Sequence, residues 1–256
     1  MKLKIVRADP AGNITVFVLD TVPGDRRAEI ARAILAKKEL AAEQVAFRTG
    51  ENRIDMSGGE FCGNASRAFG MLLAKERGIR GKAELEIGIS GCDGSVKVSV
   101  DTENHEATAD MPLPKSVAER TVGNMHGTLV NLGGIAHFVT EEAEPELAFF
   151  RRAEPLFDEF PGIEAYGVIF LEKGGSHFYP LIRVPAAGSL VWEGSCGSGS
   201  VACAVRRSIG VEGEYAENYI QPAGNIMASV TRKNGRIESA RIGGRVELEA
   251  EREICI

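Results

Sequence analysis

Two stretches of this chain, SGGEFCGNAS at 57–66 and WEGSCGSGSV at 192–201, share one plan: a glutamate, a cysteine two or three residues on, a glycine, then small residues. Each opens a run with helical spacing. After Cys62, the residues Ala65, Ala68, Phe69, Leu72 and Leu73 share a face, and Gly78 suits a C-terminal cap. After Cys196, the residues Val201, Ala202, Val205, Ser208 and Ile209 do the same, and Gly210 closes the run. A helix that starts on Cys-Gly places a sulfur beside its unpaired first-turn N–H groups. The cysteines lie 134 positions apart in 256 residues, so the chain reads as two similar halves of strands, each interrupted by one cysteine-led helix. The fold expected is α/β (α+β), two pseudo-symmetric lobes facing each other across a cleft.

The rest of the chain fills in around that plan. KLKIVRADPAGNITVFVL predicts a strand, a Pro-Ala-Gly-Asn turn carrying Asn13, and a second strand. A helix is expected over Asp25–Leu40 with Asp25 as its N-cap, followed by a strand in EQVAFRT with Glu43 at the junction. AELEIGISGCDGSVKVSV reads as a hairpin about Asp-Gly, with Cys92 in the turn region. The proline-bearing DMPLPKS at 110–116 is the expected crossing between lobes. Beyond it come strands at TLVNLGG and AHFV, a helical polar region to Phe160, and strands at GVIFLE and FYPLIRV. The division expected is 1–115 for a lobe carrying Cys62, completed by 247–256, and 116–246 for a lobe carrying Cys196. A second repeat, PAGNI at 10–14 and 222–226, is offset by 212 and does not fit the duplication, so it reads as shared turn chemistry.

A composition of 44% hydrophobic and 26% charged residues is that of a soluble globular protein. The net charge of −6, with lysines and arginines dispersed, argues against a nucleic-acid partner. No signal-like apolar region opens the chain and no 18-residue apolar run occurs, so no membrane partner and a cytoplasmic location are expected. Five cysteines, at 62, 92, 196, 203 and 255, with no Cys-x-x-Cys or His/Cys zinc spacing, read as reduced thiols and no metal site. Cys203 falls on a helix face and reads as core; His137 reads as a core histidine.

At a helix N-terminus the macrodipole and free N–H groups favour negative charge, so they lower a thiol's pKa and bind carboxylates. Gly63 and Gly197 let backbone approach a ligand closely. Two such ends aimed at one amino acid could hold its carboxylate and set one sulfur on each side of Cα, which suits racemisation without a cofactor. A thiol hydrolase would want a histidine oriented on one nucleophile, and a redox protein a paired Cys-x-x-Cys; neither is visible. A non-catalytic amino-acid-binding protein is the remaining alternative.

SGGEFCGNASRAFG and EGSCGSGSVACAV resemble the paired cysteine motifs of the diaminopimelate epimerase family, pyridoxal-phosphate-independent two-cysteine racemases and epimerases. AGNITVFVLD, NLGGIAHF and QPAGNIMASV extend the likeness over nearly the whole chain in the right order. The resemblance implies lobes that are each a β-barrel-like sheet around a central helix, Cys62 and Cys196 as acid/base pair, no cofactor, a small amino-acid substrate, and allows a homodimer. Arg53, Ala187 and Gly188 depart from the diaminopimelate pattern, leaving that substrate's distal amine and carboxylate without evident partners. EQVAF, SLVWEGSCGSGS and QPAGNI are more similar to the histidine racemase subgroup of opine-type metallophore synthesis. That likeness implies Glu43 and Glu193 as holders of the substrate's polar groups, with Asn13, Gly63, Asn64, Gly197 and Ser198 as further substrate contacts. Diaminopimelate or another amino acid stays as the alternative substrate.

Overall fold

The structure, a computed structural model, describes residues 1–256, the side chain of Ala187 lying outside the described residues. It contains two compact units, Met1–Asp110 with Gly243–Ile256, and Met111–Ile242.

The first unit holds strands β1 (Lys2–Asp9), β2 (Thr15–Val18), β3 (Gln44–Gly50), β4 (Arg53–Met56), β5 (Lys82–Ile89), β6 (Val96–Asp101) and β7 (Glu106–Asp110). Its helices are α1 (Gly24–Leu35) and α2 (Gly63–Glu76). The strands are ordered β1 to β7 in sequence, with parallel pairs at β2–β3 and β4–β5 and antiparallel pairs elsewhere.

The strands β1 to β3 are sandwiched, and their side chains sort by parity. Ile5, Val16, Val18, Val45 and Phe47 join Ile30 and Ile34 of α1, whereas Val6, Ala8, Phe17 and Ala46 join the α2 core with Ala65, Phe69 and Leu72. Burial on both faces is why β2 reads TVFV with no polar/apolar alternation. The central helix α2 lies against β5, β6 and β7. It ends as the sequence suggests, with Gly78 at φ +65° and Ile79 N–H bonded to Ala74 O at 3.0 Å.

The second unit holds β8 (Ser116–Val122), β9 (Met125–Asn131), β10 (Ile135–Thr140), β11 (Ala165–Leu171), β12 (Phe178–Val184) and β13 (Ser189–Trp192) as a six-stranded sheet. Only β10–β11 is parallel in it, bridged by α3 (Leu147–Ala153) and a following 3-10 turn. Phe149, Phe150 and Phe157 from that bridge pack with Phe138, Val168 and Leu181 of the sheet. The central helix α4 (Gly197–Arg207) contacts β9, β10 and β11, and also the hairpin of β14 (Gly213–Gln221) and β15 (Gly224–Lys233). The strand β16 (Arg236–Arg245) leads back to the first unit, where β17 (Glu247–Leu248) and β18 (Arg252–Cys255) pair antiparallel with β1.

Both sheets are open in strand order. Two expectations need correction. The helix expected over Asp25–Leu40 stops at Leu35; Pro23 is its N-cap, Asp25 sits in the first turn, and Lys38–Leu40 form a separate 3-10 turn. The helix after Cys196 ends at Arg207, and Ile209 is exposed instead of joining the buried face. In both helices the periodic apolar pattern runs past the point where the backbone turns away.

Gly70 shows how closely α2 approaches the sheet. A Cβ there would lie 2.5 Å from Val98 Cγ1. An exposed helical Gly→Ala change stabilises by roughly 1 kcal/mol, but overpacking a filled core costs about 1–3 kcal/mol. Gly70→Ala should therefore lower unfolding stability in urea, and a stabilised variant would show that the contact between helix and sheet yields.

Candidate functional site

In the first unit, a loop delivers Cys62 to the start of α2, and its position is fixed from beneath. Ser90 Oγ donates to Glu60 O at 2.9 Å and accepts from Met56 N–H at 2.8 Å, while a Cβ on Gly91 would lie 2.2 Å from Phe61 N. The N-cap of α2 is Cys62, in extended conformation, its sulfur accepting from Ala65 N–H at 3.4 Å. Its thiol donates to Gln44 Oε1 at 3.0 Å.

Register brings the other residues there. The parallel pairing Thr15↔Gln44, with Glu43 N–H bonded to Ile14 O at 2.9 Å, sets the start of β3 beside the Asn13 loop. That loop is closed by Gly12 N–H donating to Asp9 Oδ1 at 2.6 Å. Asn13 Nδ2 then reaches Glu43 Oε2 at 2.9 Å, and Asn64 Nδ2 reaches Asn13 Oδ1 at 3.4 Å. Asn13, Glu43, Cys62, Gly63 and Asn64 are thus neighbours in one unit, though they are scattered over 50 positions of sequence. Asn13 and Asn64 are buried and Glu43 is exposed.

In the second unit, Cys196 is the N-cap of α4 and is buried, with Glu193, Gly197 and Ser198 around it in sequence. The approach is tied by Cys196 N–H donating to Gln221 Oε1 at 2.6 Å and Ala223 N–H donating to Gly194 O at 2.8 Å. These bonds give the second PAGN stretch its role: the Gln221–Gly224 turn anchors the cysteine loop. The sulfur makes no bond to the first turn like that of Cys62; it lies 3.4 Å from Ser198 Oγ, which in turn lies 2.8 Å from His137 Nε2. Gly199 permits this closeness, since its Cβ would lie 3.3 Å from Cys196 Sγ and 2.9 Å from Ile169 Cδ1.

Three polar residues here were not singled out from sequence as site residues. Gln44 and Gln221 lie in the quoted stretches EQVAF and QPAGNI, but nothing in those stretches marks their side chains; strand register places their amides against a cysteine. His137 is fully buried and its Nδ1 has no partner. Burial pulls its pKa down to about 3, so it is a neutral imidazole bonded to Ser198. Arg53, which departs from the diaminopimelate pattern, is exposed and ion-pairs with Asp55 at 3.0 Å. Cys203 is fully buried in α4, Cys92 is half-buried and Cys255 exposed.

The expectation that helix ends depress the thiol pKa values is overturned. Desolvation pushes Cys62 up to about 11; the Ala65 N–H pulls it back, while the Glu60 carboxylate adds repulsion. Cys196 is also raised well above the ordinary thiol range, first by burial and then by the charge of Glu193. Taking a thiolate out of water costs more than a few N–H groups return.

The fold is that of the racemase and epimerase class. A predicted epimerase of Pseudomonas aeruginosa superposes with a TM-score of 0.70 at 14% identity, covering 100% of both chains. A hydroxyproline epimerase of Agrobacterium vitis gives 0.63 at 14% identity, covering 99% of this chain and 92% of its own. Within that class the chain belongs to the histidine racemase CntK N-terminal domain family, whose sequence model matches residues 2–254. A histidine racemase of Fusobacterium nucleatum subsp. nucleatum is 31% identical, over 99% of this chain and 97% of its own. One of Staphylococcus aureus is 27% identical, over 90% and 89%. Among the described residues no helix is long and apolar enough to cross a membrane.

Alkylation by iodoacetamide without added amino acid, read peptide by peptide in a mass spectrometer, should follow an ionisation near 11 at Cys62. An inflection below pH 8 would show that the helix end outweighs desolvation. The folded thiol keeps a proton that an unfolded one loses above about 8.5–9, so this burial stabilises below that range and its contribution fades as pH climbs towards 11.

Proposed function

We propose that this protein interconverts L- and D-histidine without a cofactor, using Cys62 and Cys196 as a two-base pair. The carrying observation is that each central helix of a histidine-racemase-family chain has a cysteine as its N-cap residue followed by glycine, with the Cys62 sulfur accepting from the first turn and the Cys196 sulfur lying against Ser198 Oγ.

In each direction one thiolate removes the α-proton, and the C–H electron pair passes into the substrate carboxylate as enediolate character. The other thiol delivers its own proton to the opposite face. Each turnover therefore leaves the thiols with exchanged protonation states, and the reverse reaction starts from the other one. Amides at Gly63, Asn64, Gly197 and Ser198 donate to the carboxylate as its charge grows. Glu43 and Glu193 accept from the imidazole N–H or the ammonium, which repels a substrate with a distal carboxylate.

The raised pKa values fit a resting enzyme with both thiols protonated, so one thiol must release its proton to solvent as the substrate binds before it can act as the base. A substrate ammonium brought beside Glu193 offsets the negative charge that raises Cys196. Gln44 serves both states of Cys62, its oxygen accepting from the thiol and its Nε2, once the amide turns over, donating to the thiolate.

In D₂O, histidine turned over by the protein should gain one deuterium at Cα of the product enantiomer. Cys62→Ser and Cys196→Ser should each cut racemisation at least about 10²-fold, the range expected on losing an acid/base group. Faster inversion of another amino acid would reassign the substrate, and full retention of the α-hydrogen with every amino acid would end the reading.

A further inference from the structure

Arg67 follows Cys62 by five positions in α2 and is fully buried. Its Nε donates to Asn64 Oδ1 at 3.1 Å, its Nη1 donates to Gly244 O and Arg245 O at 3.0 Å each, and its Nη2 has no partner. Among the described residues no carboxylate is hydrogen-bonded or ion-paired to it. Burial accordingly drags its pKa down to about 10, a drop that the charges of Cys62 and Asp9 only partly resist. A buried unpaired cation is expensive, and anchoring two backbone carbonyls could be done by a neutral amide. The Nε bond shows what the charge adds.

An arginine can only donate and a carboxylate can only accept, whereas an amide does both. From Arg67 the bonds run Nε to Asn64 Oδ1 at 3.1 Å, Asn64 Nδ2 to Asn13 Oδ1 at 3.4 Å, and Asn13 Nδ2 to Glu43 Oε2 at 2.9 Å. Every donor points the same way. The cation fixes the orientation of the first amide, the first fixes the second, and the second presents N–H to the carboxylate. Hydrogen bonds aligned head to tail polarise one another, and more so away from water.

We propose that Arg67 is a positioning residue for substrate recognition: through the Asn64 and Asn13 amides it holds Glu43 by Oε2, leaving Oε1 as the acceptor for histidine. The proposal rests on the reading that Glu43 faces the substrate. The arrangement explains why a buried arginine, an amide in the cysteine motif, an amide in the AGN turn and a glutamate at a strand start occur together. Without the guanidinium, Asn64 can turn over, Asn13 loses its fixed acceptor and donor roles, and Glu43 is held in no one rotamer.

Arg67 and Glu43 share no contact, so coupling between them separates this role from mere support of the fold. Arg67→Met should raise KM for histidine on the order of tenfold, the equivalent of losing about 1.4 kcal/mol, with a smaller change in kcat. In a Glu43→Gln background the same change should alter KM less than twofold. Effects that simply multiply would overturn the proposal. Where Arg67→Met fails to fold, Arg67→Lys keeps the charge but not the planar geometry, and the same cycle applies. Two-dimensional ¹H–¹⁵N spectra give a readout independent of turnover: in Arg67→Lys the Asn13 side-chain amide signals should shift, and unmoved signals would also overturn it. Should Glu43→Gln leave histidine KM unchanged while the Asn13 signals move, the substrate role of Glu43 falls, and with it the recognition role, but the relay stands.

Discussion

The N–H groups of a helix's first turn need acceptors, and both central helices of this protein begin where a cysteine meets them. Everything specific to the two sites follows from having to bring a chain end to that point. In the first unit Ser90 and Gly91 support the loop before Cys62. In the second, Gln221 and the turn after it support the loop before Cys196. The glycine after each cysteine carries no Cβ to obstruct the first turn. The cost is desolvation of the sulfur, and it outweighs the attraction of the helix end.

The two sites share a plan without sharing their supports. At α2 the sulfur accepts from the first turn, and an arginine stands behind a pair of amides. At α4 the sulfur lies against a serine hydroxyl that is bonded to a buried neutral histidine. The proposed two-base reading requires thiols matched in pKa but differently disposed about Cα, and different supports on a common scaffold are compatible with it. In the proposed reaction the acidic side chains Glu43 and Glu193 would favour a substrate whose far end donates hydrogen bonds.

Much of the local structure was legible in the chain, because it rests on local rules. The β1–β2 turn is written in Pro-Ala-Gly-Asn, the β5–β6 hairpin in Asp-Gly, and both central helices in a cysteine, a glycine and an apolar stripe. Short strands such as β4 (RIDM) and β7 (EATAD) were not legible, for their residues carry little alternation and are strands only because neighbours offer partners. The ends of α1 and α4 were overrun for a related reason. Apolar periodicity records what packs inward, and Leu40 and Ser208 are buried although the helices have already ended.

By itself the sequence determined which residue types stand at each helix start: a thiol, a glycine and a small polar residue, whose roles depend on backbone N–H groups a few atoms away. Only the tertiary structure decided what surrounds them. Strand register set Gln44 against Cys62, and the return of the chain at Gly244 and Arg245 closed over Arg67. Burial then reversed the direction in which a helix end alone would shift the thiols. Solvation and long-range pairing depend on residues tens to hundreds of positions away, and no local pattern contains them.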